Sequence, residues 1–148
     1  MISVRIHRAG LLRRSQSGQA LAETAIGLAV MTLVILGILE FGRAFMISNA
    51  ITNAARVGAR AAAMEPATNR NGDGMIIDKT AIIAAVKDEI ATSSGQAVAD
   101  AVTVTVTQPD FFVARARVTV SGSIPYLFNL VGPHFNLTRT VTYRDQAR

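Results

Sequence analysis

The run from Ala25 to Leu39, AIGLAVMTLVILGIL, carries no charge, and with Gln19 to Thr24 ahead of it approaches the roughly 20 residues that cross a bilayer as a helix. A segment this apolar leaves few architectures open: the chain must place one helix in lipid and fold whatever else it has outside it. At 148 residues, half of them hydrophobic, that remainder is one modest domain and not a two-domain enzyme. A secretory signal peptide shares the basic-then-apolar layout. Here Glu40, Phe41, Gly42 and Arg43 follow the run, no small-x-small cleavage site comes close behind, and the helical pattern continues, so the run reads as a retained anchor. The arginine-rich end then stays cytoplasmic and everything after Leu39 is exported.

The net charge of +5 and a pI near 10.7 raise the possibility of a nucleic-acid partner. Arg5, Arg8, Arg13 and Arg14 precede residue 18 with no acid among them, which leaves eleven basic against ten acidic residues downstream. The part of the chain able to fold therefore has almost no charge excess, and the basic face that nucleic-acid recognition needs is missing. With no cysteine, disulfides and thiolate metal sites are excluded and the redox compartment stays open.

Beyond the membrane run the helical pattern does not stop. From Phe45 to Met64 there is no proline, and Asn49, Asn53, Arg56 and Arg60 recur at helical spacing as one polar stripe. Beside it Ala50, Ala54, Gly58 and Ala62 repeat every four residues, a pattern that lets another helix approach closely. Pro66 ends the segment. A helix from Gln19 to Met64 would be roughly 70 Å long, against a hydrocarbon thickness of about 30 Å, so more than half of it needs partners other than lipid.

The rest predicts a small α+β head over residues 65–148, after a leader at 1–18 and a long helix at 19–64. Thr68 to Asp78 is a loop. Lys79 to Ser93 forms a helix with Asp78 as N-cap and Ile82, Ile83, Val86 and Ile90 as its apolar face. Val102, Val104 and Val106 alternate with threonines as a strand, Gln108, Pro109 and Asp110 make a turn, and Phe112 to Val120 returns as the second strand of a hairpin. After apolar residues broken by Pro125 and Pro133, Leu137 to Tyr143 is a third strand. An antiparallel sheet of about three strands with one helix results, and it should survive removal of Met1 to Phe41 with the Ala50–Ala62 stripe left exposed.

Glu23 sits at the mouth of the apolar run, where an unpaired carboxylate costs several kcal/mol. It is the fifth residue after Gly18, and "SGQALAE" behind a basic leader has the layout a prepilin peptidase recognises. Cleavage after Gly18 creates an ammonium at Gln19, four residues from Glu23 along a helix, and that cation on its own or a neighbouring chain offsets the cost. The first helical turn adds about 0.3–1 kcal/mol through the dipole. The alternative is that Glu23 merely snorkels from an uncleaved anchor.

Gly18 and Glu23, the "EFGR" of Glu40 to Arg43, and "ITNAARVGARAAA" from Ile51 to Ala63 resemble the TadE-like pseudopilins, or minor pilins, of tight-adherence (type IVc, Flp) pili. The resemblance is dense from Arg14 to Ala63; past that point only the helix-and-strand head ending in "LTRTVTYR" is similar. It implies an inner-membrane protein, processed at Gly18 and Gln19 by a prepilin peptidase. Its implied partners are the major pilin, other pseudopilins, a secretion ATPase and pilus platform proteins. Thr24 follows Glu23 where major pilins often have Tyr, and the head is sizeable, so the resemblance is to an accessory subunit that assists assembly or enters the extracellular pilus. Assembly contacts would involve Glu23, Glu40, Arg43, Ala50, Ala54 and Gly58, with Gly27, Gly37 and Gly42 as further points of close approach. The rival is an uncleaved membrane scaffold for assembly or secretion.

Other chemistry is thin. His7 and His134 stand alone, and no phosphate loop or nucleophile motif occurs, so no enzyme and no cofactor are expected. Asn69, Asn71 and Asp73 alternate before Gly74 as in a calcium loop, with Asp78 as a further carboxylate, but position one is Asn and the final bidentate position is Thr80. A plain Asn/Gly turn is the alternative. Glu40 and Arg43, three apart, form either an ordinary surface pair or an assembly contact.

Overall fold

A computed structural model describes residues 9–108, 115–129 and 132–144, with side chains from Gly18 onward. The chain divides into two compact units, Met1–Leu39 and Glu40–Arg148. A single helix, α1 (Ala9–Ala63), contributes to both, followed by a 3-10 turn at Ala67–Asn69, α2 (Thr80–Ser94), α3 (Gln96–Asp100), β1 (Val102–Thr107), β2 (Arg115–Pro125) and β3 (His134–Arg144). The long helix, the following helix and the three-stranded antiparallel sheet make the chain α+β. The expected leader lies partly outside the described residues, as do Pro109, Asp110, Phe112, Ala114, Leu130 and Val131.

In the first unit, the side chains from Gly18 to Ile35 are exposed, and this half of α1 is long and apolar enough to cross a membrane. Thr24 and Thr32 interrupt the apolar surface without leaving a polar group unpaired: their hydroxyls donate to the carbonyls of Ala20 and Leu28, each at 2.8 Å. Hydrocarbon offers no substitute for such a bond, and turning a hydroxyl back onto the preceding turn supplies it.

The second unit is built on the other half of α1. Ile47, Ile51, Ala54, Ala55, Ala59 and Ala62 are buried at helical spacing, while Asn49, Asn53, Arg56 and Arg60 stay exposed as the polar stripe predicted. The sheet runs β1-β2-β3, with Thr107 opposite Arg117 and Pro125 opposite His134. Its inner face is aliphatic, with Val102, Val104, Val106, Ala116, Val118 and Val120 all buried. The threonines of β1, together with Arg115 and Arg117, are exposed on the other face. Strict alternation along β1 places every second residue on the core side.

β2 lies along α1 in the opposite direction: Val118 packs at Gly58 and the Pro125 carbonyl meets Arg43. The strand path from Val118 to Pro125 and the helix path from Arg43 to Gly58 both span about 23 Å, so strand and helix keep pace along their length. Two glycines admit the close contacts. A Cβ on Gly58 would overlap the Val86 methyl of α2, and one on Gly122 would stand 2.7 Å from the Ala101 carbonyl oxygen. Gly95, at φ 92°, closes α2 and redirects the chain into α3, a conformation in which a side chain is strained.

Several boundaries differ from expectation. The second strand continues to Pro125 and the third starts at His134, because the register carries through eleven pairs to the Pro125–His134 rung. Of the apolar residues that follow, Tyr126, Leu127 and Phe128 lie in the β2–β3 connection, and the Tyr126 ring packs at a tilt against Phe135 of β3 with centroids 5.2 Å apart. Gln108 follows the end of β1 and is buried. The rest of the turn expected at Gln108, Pro109 and Asp110, and the start of the second strand expected at Phe112, lie outside the described residues. The helix expected from Lys79 begins at Thr80, so Lys79 and not Asp78 is the N-cap; Asp78, one residue further out, accepts the Thr80 N–H at 2.8 Å. Glu40 belongs to the second unit, so removing Met1 to Phe41 would cut into it.

Candidate processing and assembly site

At the start of the described side chains, Gly18, Gln19 and Glu23 are all exposed. The Gln19 amide donates to Glu23 Oε1 at 3.2 Å, the separation of four that places two side chains on one helical face. The Glu23 carboxylate is therefore already directed at the residue that would carry the new ammonium after cleavage.

The glycines of α1 fall into two sorts. Gly58 is wedged against α2. A Cβ at Gly18, Gly27, Gly37 or Gly42 meets nothing within 4 Å. Glycine inside a helix costs about 0.5–1 kcal/mol relative to alanine. At these four positions, packing within the described residues provides no return for that cost.

Glu40 and Arg43 do not form an exposed surface pair. Glu40 is 2% exposed, and its Oε1 and Oε2 accept the backbone N–H groups of Leu127 at 2.6 Å and Phe128 at 3.1 Å. Arg43 Nη1 donates to the Pro125 carbonyl at 2.8 Å. Burying a carboxylate is costly unless its lone pairs are satisfied, and two N–H donors from one loop do that here. The two side chains latch the β2–β3 connection to α1. No signal within a window of local sequence could have revealed this, since the partners lie more than eighty residues away.

Ala50, Ala54 and Gly58, expected to receive a helix from another subunit, are buried within the chain's own head. The small-residue stripe does admit a close helix, but that helix is α2, and the sheet covers the remainder. As a surface for a neighbouring subunit the stripe is withdrawn.

In the loop proposed for calcium, the amide oxygens are directed at backbone N–H groups: Asn69 Oδ1 accepts from Asp78, and Asn71 Oδ1 from Asp73 and Met75. The Asn69 amide donates to Glu65 Oε1 and the Asp78 carbonyl, each at 2.7 Å. Arg70, which local sequence did not single out, spans the loop, donating to the carbonyls of Ala62, Glu65 and Gly74. It supplies a cation to the C-terminal end of α1. Gln108 ties the same loop to the sheet by accepting the Ile76 N–H at 2.7 Å. Asn69, Asn71, Asp73 and Asp78 thus sit in a closed turn, and among the described residues no group of three or more His, Cys, Asp or Glu side chains could hold a metal ion. The Thr80 side-chain and backbone hydrogen bonds hold the Asp78 carboxyl below its usual range.

Two surface depressions are lined by Ala84, Ala85, Lys87, Asp88, Ala91 and Gln96, and by Arg60, Ala63, Met64 and Tyr143. Neither lining includes a histidine or a pair of carboxylates. His134 is exposed at the start of β3.

Residues 18–60 match the family model described as TadE-like protein, the same family that the motifs resemble. The match takes in Gly18, Gln19, Glu23, the apolar run, Glu40, Arg43 and Ala50, Ala54 and Gly58 of the small-residue stripe, and does not reach the sheet. It suggests involvement in tight-adherence pilus biogenesis, and the one long apolar N-terminal helix fits membrane anchoring. No curated protein and no solved structure matches the chain significantly.

Proposed function

We propose that this chain, with its TadE-like segment, is a minor pilin or pseudopilin of a tight-adherence pilus, cut between Gly18 and Gln19 by a prepilin peptidase. Its N-terminus lies in the cytoplasm and its head in the periplasm. It acts by helix packing rather than catalysis. The observation that carries this reading is the uncovered first half of α1: apolar, glycine-punctuated at positions where the chain itself needs no glycine, and opened by one exposed carboxylate. Membrane helices associate through small residues that let backbones approach, and Gly27 and Gly37 provide such points. Glu23 pairs with the ammonium of Gln19 in its own or a neighbouring subunit. The partners are the peptidase, the major pilin and other pseudopilins, and the platform proteins of the inner membrane.

A second reading, the uncleaved assembly scaffold, draws on a different observation: α1 runs helically through the Gly18–Gln19 bond, so a peptidase must first unwind a turn. Intact mass separates the two. Wild-type protein from cells with active prepilin peptidase should begin at Gln19, and Gly18→Val should leave the precursor uncut in the inner membrane. Wild-type protein still beginning at Met1 under those conditions would eliminate the processed-pilin reading. Glu23→Ala should be cleaved and inserted yet fail to assemble; loss of cleavage alone would reduce Glu23 to a feature read by the peptidase.

A further inference from the structure

Just past the apolar run, α1 continues through Glu40, Phe41, Gly42, Arg43, Ala44 and Phe45. Phe41 and Phe45, one helical turn apart, are 65% and 70% exposed. At the same end of this unit, held by Glu40, the start of the β2–β3 connection presents Leu127 and Phe128 at 58% and 43% exposure. A small exported domain has no reason of stability to hold four large apolar side chains in water.

The backbone beneath them is unusually well satisfied for a loop. The Leu127 and Phe128 N–H groups donate to Glu40, the Pro125 carbonyl accepts from Arg43, and the Tyr126 N–H donates to the Pro133 carbonyl at 3.2 Å. A loop in water has no need of a buried carboxylate for this, since solvent serves its N–H groups. A loop next to hydrocarbon does, because each unpaired backbone group there costs several kcal/mol.

We infer that Leu127 and Phe128, with Phe41 and Phe45, seat in the interfacial layer of the bilayer that α1 crosses, and that Glu40 is the latch that makes this loop fit to enter it. Continuity favours lipid over a protein partner. Phe41 follows Leu39 by two residues of helix, about 3 Å of rise, so the patch starts where the apolar run ends. The Arg43 guanidinium donates to the Pro125 carbonyl at the same end of the unit, and long basic side chains favour this interfacial level. The inference rests on membrane insertion of Ala25–Leu39, and neither cleavage at Gly18 nor entry into a pilus is needed for it.

The chain has no cysteine, so single spin labels can be placed on the full-length protein in phosphatidylethanolamine–phosphatidylglycerol vesicles. Labels go at Leu127→Cys and Phe128→Cys, with Val34→Cys as the reference inside the run and Thr105→Cys, exposed on the outer face of the sheet, as the reference in water. Collision with oxygen and with a water-soluble nickel chelate gives depth. Labels at 127 and 128 should favour oxygen and lie about 5–10 Å into the headgroup–acyl boundary, as interfacial apolar groups do. Adding Glu40→Ala should move the 128 label toward the nickel accessibility of position 105 while leaving position 34 unchanged. Nickel access at 127 and 128 equal to that at 105 in the otherwise unaltered chain would overturn the inference, as would shielding from both reagents, which would mean that protein covers the loop.

Discussion

The two halves of α1 are written in the same alphabet of alanine, glycine and branched aliphatics, yet they end in opposite surroundings. From Leu21 to Leu39 the large apolar side chains other than the half-buried Leu36 are exposed, and no second element of the chain covers them. From Ile47 to Ala63 the apolar residues, Val57 apart, fall largely on one stripe, with asparagine and arginine opposite, and that stripe packs into the core with residues of α2 and the sheet. The difference is one of angular distribution more than of hydrophobicity. A helix apolar all round must find lipid or other helices, whereas one with a single stripe can be covered from one side by its own chain. The TadE-like match runs across both halves, so the recognisable segment joins a surface offered outward to a surface used inward.

The largest effect that would sharpen this contrast comes from glycine. Gly58→Val should cost about 3 kcal/mol or more, at or beyond the upper end of what overpacking usually costs, because the added carbons collide with Val86. Gly27→Val should leave head stability unchanged, because a Cβ there meets nothing. Hydrogen exchange of α2 amides, measured on both variants in detergent, reads the comparison directly. Equal loss of protection in the two variants would break it.

A smaller effect is expected at Glu40. Glu40→Ala removes both acceptors for the Leu127 and Phe128 N–H groups, and about 1–3 kcal/mol should be lost for part-buried donors left without them. Exchange at those two amides should accelerate first, ahead of β1. Glu23→Ala, whose carboxylate touches only the Gln19 side chain within the chain, should leave head stability unaffected.

The smallest effect concerns acid. The folded pKa of Asp78 lies below its ordinary value of 3.8, so the stabilisation from its hydrogen bonds with Thr80 is present above that value and is lost as pH falls through the lower, folded pKa. Since the group is exposed, the change should be confined to the first turn of α2 and read as faster exchange at the Thr80 amide. Asp78→Asn should remove the pH dependence. Its persistence would assign it to another carboxylate.

Patterns within a few residues of one another were legible from the chain alone. The charge-free run marks a helix long and apolar enough to cross a membrane, the period of α2 gives Ile82, Val86 and Ile90 as its buried face, and the alternation of valine with threonine gives β1 and its inner side. The four-residue spacing of Gln19 and Glu23 likewise puts the two side chains on one face of the helix, where the Gln19 amide reaches the Glu23 carboxylate. What covers the Ala50–Gly58 stripe was not readable, because a small-residue face invites a close helix without stating whose helix it is. The answer came from Val86 and Val118, both distant in sequence. Glu40 likewise reads as half of a local pair with Arg43. It became a buried latch because β2 runs back along α1 for about the length from Gly58 to Arg43 and delivers two N–H groups to its carboxylate. Gln108 and Arg70 follow the same rule: hydrogen bonds that close a tertiary fold join groups with no shared period, and their partners exist only once the chain has packed.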